Sequence, residues 1–295
     1  MPSPQVALIT GGASGLGLAV AQAYGAKGWT VHIVDFNKET GEAAAKAIPN
    51  AKFHATDVSS WESVSSAFAA AFKDAGRLDF VFANAGVVEK NNFYETPDSD
   101  EVPPQPNVHP MNVNLYGLVN QSYLALHYFR RSPHKGKGAA LVITGSSSSL
   151  YPMQFGPVYA AAKAGVLNFV RSIAFPYHFQ DGIRVNCILP GGVKTNILTT
   201  EEWKTMDEAH FTPISTIVST VEALQKGGEL KDAWDKVVPA GSDYGLAAEV
   251  SGENFYFRGI PDFCDEKMTN VMAATSMENH AARLAEEKAK SKGAV

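Results

Sequence analysis

The sequence predicts an α/β fold of the doubly wound kind, with a seven-stranded, mostly parallel sheet and helices on both faces. Three observations predict it. Short, nearly unbroken apolar runs alternate with helical stretches from Gln5 to about residue 190, as strands buried on both faces require. A glycine-rich turn, Thr10-Gly11-Gly12-Ala13-Ser14-Gly15-Leu16-Gly17, directly follows the first run and opens the first helical stretch. The 295 residues are 45% hydrophobic and 19% charged, material for one substantial core and not for a disordered chain.

The elements follow in order. Val6 to Thr10 reads as the first strand, and an Ala/Leu-rich helix runs from about Leu16 to Lys27, ended by Gly28. Val31 to Asp35 is the second strand, and Lys38 to Ile48 a helix stopped by Pro49. Lys52 to Asp57 is the third strand, followed by a helix over Ser60 to Asp74 in which Ser60 and Ser63 offer N-cap oxygens. Leu78 to Ala83, Ala139 to Thr144 and Arg184 to Leu189 complete strands four to six. The pattern then loosens until Ala247 to Val250, an edge strand running on toward Phe257. Between Val87 and Pro110 lies a polar, Pro-rich loop, long enough to be functional or mobile. Residues 1–264 are expected to form one catalytic domain with a lid at about 196–240, and 265–295 a helical or partly disordered tail.

Composition excludes several classes. A net charge of −5 gives no electrostatic reason to approach nucleic acid or an anionic membrane. No apolar run nears the roughly 18 residues that span a bilayer. Met1 to Gln5 is too short for a secretory leader. Two cysteines, Cys187 and Cys264, make no scaffold and no CxxC, so a reduced, cytoplasmic setting is expected. Eight scattered histidines without HExxH give no metal site, and no G-x-S-x-G surrounds Ser14 or Ser146.

The glycine turn has a chemical reading. A backbone that turns sharply and admits a pyrophosphate needs residues without Cβ, and amides at a helix N-terminus meet the negative charge. Asp35, 18 residues past Gly17, ends the second strand. A carboxylate there accepts the ribose hydroxyls of NAD and repels the extra phosphate of NADP. Ser14 and Phe36, where a basic residue would hold that phosphate, are uncharged. NAD is the expected cofactor; the plainer reading of Asp35 is a turn cap.

The spacing is TGxxxGxG, and here the sequence resembles the short-chain dehydrogenase/reductase family, whose fold is a doubly wound Rossmann fold. Further strings between Val6 and Thr195 match in the same order. Asp57-Val58 resembles the adenine-contacting pair, and Asn84-Ala85-Gly86 the NAG turn bordering the cofactor. Asn114 resembles the family's helix asparagine. Pro190-Gly191-Gly192-Val193-Lys194-Thr195 resembles the PGxxxT segment that holds the nicotinamide carboxamide. The resemblance covers about two-thirds of the chain and says little about substrate. The region Glu249 to Phe257 lacks the usual aspartate-glycine-glycine ending and is more similar to the branch of hydroxyprostaglandin dehydrogenase and its fungal-type relatives. Where that branch often has a polar residue three before the tyrosine, this chain has Gly156.

Tyr159 and Lys163 stand four apart near a helix start, on one face. A phenol titrates near 10 in water, and a neighbouring ammonium is expected to bring it down toward the range of efficient proton transfer. Lys163 can also hold the nicotinamide ribose hydroxyls. Ser146, 13 residues before Tyr159, follows the fifth strand and suits a hydrogen bond to the substrate oxygen, though the run Ser146 to Ser149 leaves an ambiguity of one residue. The resemblance implies that Asn114 kinks its helix and holds a water linking Lys163 to solvent. The expected reaction is reversible NAD-linked oxidation of a secondary alcohol to a ketone; a catalytically idle NAD-binding regulator or scaffold is the other reading.

The residues expected to close over substrate are apolar or aromatic: Val88, Phe93, Tyr94, Tyr151, Met153, Phe155, Trp203, Met206 and Phe211. A greasy or aromatic hydroxy compound fits such a wall. Apolar stripes at Val166, Phe169, Val170 and Ile173, and at Leu118, Tyr123 and Leu126, predict helix-to-helix assembly into a homodimer or homotetramer.

Overall fold

The computed structural model describes residues 4–204, 206–280 and 282–283. The described residues divide into two compact units, one ending at Arg258 and one beginning at Gly259.

In the first unit, strand β1 (Val6–Thr10) leads through the glycine turn into α1 (Gly15–Ala26). Then come β2 (Thr30–Asp35), α2 (Lys38–Ala47), capped by the Asn37 side chain, and β3 (Ala51–Ala55). Helix α3 (Trp61–Ala75) starts where the Ser60 hydroxyl accepts from the Ser63 amide, and ends at Gly76 in the left-handed region. Strand β4 (Phe80–Ala83) is followed by the irregular, mostly exposed loop, a single turn α4 (His109–Met111), a π turn over Asn112–Tyr116, and α5 (Gly117–Arg131). Strand β5 (Ala140–Thr144) precedes α6 (Pro157–Asp181), and β6 (Arg184–Pro190) precedes a short α7 (Thr200–Trp203) and α8 (Ile214–Lys226). A two-residue pair, β7 (Leu230–Lys231) and β8 (Val237–Val238), forms a small separate sheet. Strands β9 (Ala247–Ser251) and β10 (Asn254–Phe257) close the unit.

The main sheet has eight strands in the order β10-β9-β6-β5-β4-β1-β2-β3, parallel but for the β9–β10 pair. The sequence reading of seven is corrected at one point. Residues 247 to 257 look like one apolar run, but Gly252 takes φ +56° and the chain folds back, pairing Val250 with Phe255 and Glu249 with Tyr256. The edge is therefore a hairpin arm. The β7–β8 pair also escaped the sequence reading; the buried Asp232 carboxylate organises it, accepting from the amides of Trp234, Lys236 and Phe257.

Alternate strand residues feed two cores. Leu8, Val81, Leu141 and Val185 pack against α3, α5 and α6 on one face. Ile9, Phe80, Phe82 and Ile188 pack against α1 and α8 on the other. Each such fully buried side chain contributes on the order of 2 kcal/mol. This core also absorbs most of the expected assembly stripes: Val166, Val170 and Leu118 are buried against the chain's own sheet, and Phe169, Ile173 and Leu126 pack on that cluster. Of those residues Tyr123 stays exposed. An apolar helix stripe reports burial, not the partner that provides it.

The connectivity puts a switch point between β1 and β4: the chain leaves β1 toward β2 and β3, then returns to β4 on the other side. The carboxyl ends of β1, β4, β5 and β6 line up along that edge.

In the second unit, α9 (Glu266–Thr275) is capped by the Asp265 carboxylate, which accepts from the Met268 amide at 2.7 Å, and it exposes Met268, Val271 and Met272. Of the helical or partly disordered tail expected over 265–295, residues 281 and 284–295 lie outside the described residues. Among the described residues, no helix is long and apolar enough to cross a membrane. Cys187 is buried and Cys264 exposed, both as free thiols.

Candidate active site

The glycine turn is built to stay open. Gly11 and Gly15 take φ +63° and +52°, which disfavour any side chain. Gly17 is in regular helix but has no space: a Cβ there would lie 2.2 Å from the Gly11 carbonyl oxygen. Ser14 caps α1 through extended backbone, and Leu16 is half-buried against the core. Asp35, at the end of β2, braces the turn, one oxygen accepting from the Ala13 amide and the other from the Asn37 amide, both at 3.0 Å. Phe36 beside it is largely exposed. Asp57 holds Ser59 through its amide and hydroxyl, and Val58 is buried, its carbonyl only 2.8 Å from where a Cβ on Gly117 would lie.

A chain of polar contacts ties the turn to β4 and β5. The Thr10 hydroxyl accepts from the amides of Asn84 and Ala85 and donates to Gln121 at 2.7 Å. The Asn84 side chain donates to the Thr10 carbonyl and accepts from the Thr144 hydroxyl. The Lys163 ammonium donates to the Thr144 carbonyl at 2.8 Å. Gly86 has no Cβ, and the place one would occupy lies 3.1 Å from Asn114 Oδ1 and 3.7 Å from Lys163 Nζ. From the other side, Thr195 lies 3.3 Å from where a Cβ on Gly15 would project. Pro190 and Val193 are buried under this segment, and the Gly191 amide donates to Val250. The structure therefore brings the turn, the NAG string and the PGxxxT string to one sheet edge. An open strip of backbone without Cβ atoms, with amides at a helix start, fits the phosphates of a dinucleotide.

The serine run is sorted by geometry. Ser149 donates to the Lys163 carbonyl at 2.7 Å and Ser148 points to Met153 Sδ, whereas the Ser146 hydroxyl reaches the Tyr159 phenol. Tyr159 and Lys163 share a face of α6, with the ammonium 5.8 Å from the ring centroid. Asn114 lies in the π turn, and its amide bonds both the Val87 amide and the Val87 carbonyl at 2.8 Å.

The electrostatics correct one expectation. The phenol of Tyr159 is held above its ordinary value of 10, first by burial, which outweighs the lowering contribution of the Ser146 hydrogen bond. Lys163 is itself pushed down to about 8 by burial, and its ammonium is turned to the Thr144 carbonyl. In the protein alone, then, the cation does not bring the phenol below its ordinary value.

The substrate side departs further. Trp203, expected in the wall, is buried: its indole N–H donates to the Thr195 carbonyl and its ring meets Phe211 edge-on at 5.3 Å. Tyr151 is held by Arg258, which bonds its hydroxyl and the Glu249 carboxylate. Phe155, 92% exposed, and Tyr94 border an open cleft of ≈ 710 Å³ that Glu89, Lys90, Asn91, Asn92 and Gln154 also line; Ser146 and Tyr159 are not among its lining residues. Met153 is exposed outside it. Sequence reasoning missed Glu89. One Glu89 oxygen accepts from the Val158 amide at 2.8 Å and the Tyr159 amide at 3.0 Å. The available signal was a helix start, Gly156-Pro157, with no capping side chain of its own.

A family profile described as short chain dehydrogenase matches residues 5–205. The short-chain dehydrogenase/reductase prx7 of Penicillium rubens is 43% identical over 275 residues, 90% of this chain and 97% of the relative. A 15-hydroxyprostaglandin dehydrogenase [NAD(+)] of Macaca fascicularis is 33% identical over 206 residues, 67% of this chain and 71% of the relative. Among solved structures, a 3-ketoacyl-(acyl-carrier-protein) reductase from Brucella melitensis, complexed with NADH, shares the fold at TM-score 0.69 and 24% identity, covering 85% of this chain and 98% of the other.

Proposed function

The chain belongs to the short-chain dehydrogenase family, and from that premise we propose that it is an NAD-linked oxidoreductase interconverting a secondary alcohol and a ketone on a partly apolar or aromatic small molecule. The observation that carries this reading is the meeting of Ser146, Tyr159 and Lys163 beside the glycine turn.

Gly11, Ser14, Gly15, Leu16 and Gly17 would hold the phosphates, Asp35 with Phe36 the adenosine ribose, and Asp57 with Val58 the adenine. Asn84, Ala85, Gly86, Pro190, Gly191, Val193 and Thr195 would border the nicotinamide half. Bound NAD supplies a carbon that takes or gives a hydride. The protein's share is the proton. In oxidation, Tyr159 takes the proton of the alcohol while Ser146 hydrogen-bonds the same oxygen, holding it in place as charge develops. In reduction the phenol returns it. Lys163, at about 8, carries its ammonium at neutral pH and favours the phenolate during that exchange. Asn114, fixed to Val87 and beside Lys163, stands where a water could pass the proton to solvent.

NAD over NADP is supported by the carboxylate of Asp35 and by the relative whose name specifies NAD(+). The free thiols support a reducing, cytoplasmic setting. Exposed Tyr116 and Tyr123 on or beside α5 and Phe179 on α6 support a homodimer or homotetramer, which sedimentation at micromolar concentration tests.

The test is Tyr159→Phe, assayed by NADH absorbance on a panel of aromatic, steroidal and aliphatic secondary alcohols. Lost turnover with intact NADH binding is expected. Retained turnover overturns the mechanism, and NADH binding with no alcohol or ketone turned over by the natural enzyme favours an idle regulator.

A further inference from the structure

Helix α6 carries Tyr159 in its first turn, and the sequence leaves that turn without a cap. The N-cap position is Gly156, which has no side chain. Pro157 follows and has no amide to satisfy. The next two amides, of Val158 and Tyr159, are orphans that a helix start must place somewhere. The fourth, of Ala160, already donates to the Gly156 carbonyl at 2.9 Å. Both orphans are met by one oxygen of Glu89, nearly 70 residues earlier, in the loop that leaves β4. The Glu89 oxygen sits close over the N-cap: a Cβ at Gly156 would meet it at 3.5 Å, in ordinary contact.

We propose that Glu89 is a positioning residue for the reaction: its carboxylate, docked on the amides of Val158 and Tyr159, fixes the first turn of α6 and so sets where the Tyr159 phenol stands relative to Ser146. The inference rests on the reading of Tyr159 as the proton-transfer group. Three features support the assignment. The bonded amide belongs to Tyr159 itself, so loss of the cap frees the reacting residue's own backbone. Charge-assisted bonds from carboxylate to backbone N–H are among the stronger ones, and a carboxylate at a helix N-terminus also meets the favourable end of the dipole. Glu89 also borders the open cleft, so one side chain ties the loop that leaves β4 to the helix that carries Tyr159. Small misplacements of a reacting group cost rate steeply.

The experiment compares Glu89→Ala and Glu89→Gln with the natural protein. The amide of Gln keeps an acceptor oxygen at the same reach and discards the charge. In Glu89→Ala, hydrogen exchange at the Val158 and Tyr159 amides of the cofactor-free protein is expected to quicken by roughly tenfold or more while α1 amides hold their rates. Its kcat is expected to fall by about tenfold or more with a smaller change in KM and NADH affinity unchanged. Glu89→Gln is expected to restore most of both. Exchange and kcat of Glu89→Ala within about twofold of the natural protein overturn the proposal, as does a Gln variant as impaired as Ala. If Glu89→Ala unfolds, Glu89→Ser, polar but too short to reach either amide, takes its place and is read by the same two measurements against the same limits. A natural protein that turns over no alcohol defeats the functional reading instead, and the exchange rates still judge the cap.

Discussion

The indole N–H of Trp203 donates to the main-chain oxygen of Thr195 at 2.8 Å, joining the end of α7 to the segment that faces the glycine turn. On the proposed function, Trp203 thereby braces the segment that would border the nicotinamide half. Trp203→Phe keeps the ring and removes the donor. It is expected to cost about 1 kcal/mol, a several-fold weaker NADH affinity by fluorescence titration, with the ranking of alcohols unchanged. A changed ranking at constant NADH affinity would return Trp203 to the substrate wall.

Gly17→Ala introduces a methyl onto the Gly11 carbonyl and the Asn84 side chain, the first of which is backbone and cannot swing away. The turn must shift. NADH binding is expected to weaken by at least ~tenfold and the unfolding temperature to drop, as over-packing costs of about 1–3 kcal/mol imply. Calorimetric titration and a thermal melt check both.

Asp35→Ala removes the acceptor of two backbone amides and the charge at the end of β2. NADH affinity is expected to fall roughly tenfold and the ratio of NADH to NADPH affinity to narrow by a comparable factor, measured by titration with each. An unchanged ratio would show that the carboxylate only braces the turn.

Lys163 is held at about 8, below its ordinary 10.5, because burial penalises its charge. The folded state gives up this proton before the unfolded chain does, so the burden is present in full below pH 8 and fades between 8 and 10.5. Lys163→Met is expected to abolish turnover and yet to unfold at equal or higher urea at pH 7, by up to about 2 kcal/mol after the lost bond to Thr144 is deducted, with the difference shrinking toward pH 10.

His32 is fully buried in β2, its Nδ1 2.9 Å from His54 Nε2. Burial foremost, and then His54, hold its pKa down to about 4 from 6.5, with Lys52 also lowering it and Asp74 opposing. A depressed histidine leaves stability whole above 6.5 and draws it away as pH falls toward 4. Urea unfolding should show a loss of about 2 kcal/mol between pH 7.5 and pH 5 from this group, and His32→Leu should flatten that slope.

What the sequence disclosed was what is local. The glycine spacing, the apolar runs and the four-residue step from Tyr159 to Lys163 each follow from backbone geometry within a few residues. The hairpin at Gly252 was hidden because both its arms are apolar and no Asn-Gly or Asp-Gly marks the turn. The partner of the Trp203 indole was not legible because an aromatic in an aperiodic stretch does not say which neighbour its N–H will find. Glu89 was invisible because its partners lie about 70 residues away and only the fold brings them together.

Val87 and Asn114, tied by paired bonds, close the base of the excursion that lies between them. Its two ends are clamped at the same asparagine whose Oδ1 lies beside Lys163, so the anchor of this long polar segment and the surroundings of the ammonium are one piece of structure. Whatever the tip does, its stem is fixed to the floor on which Tyr159 and Lys163 stand.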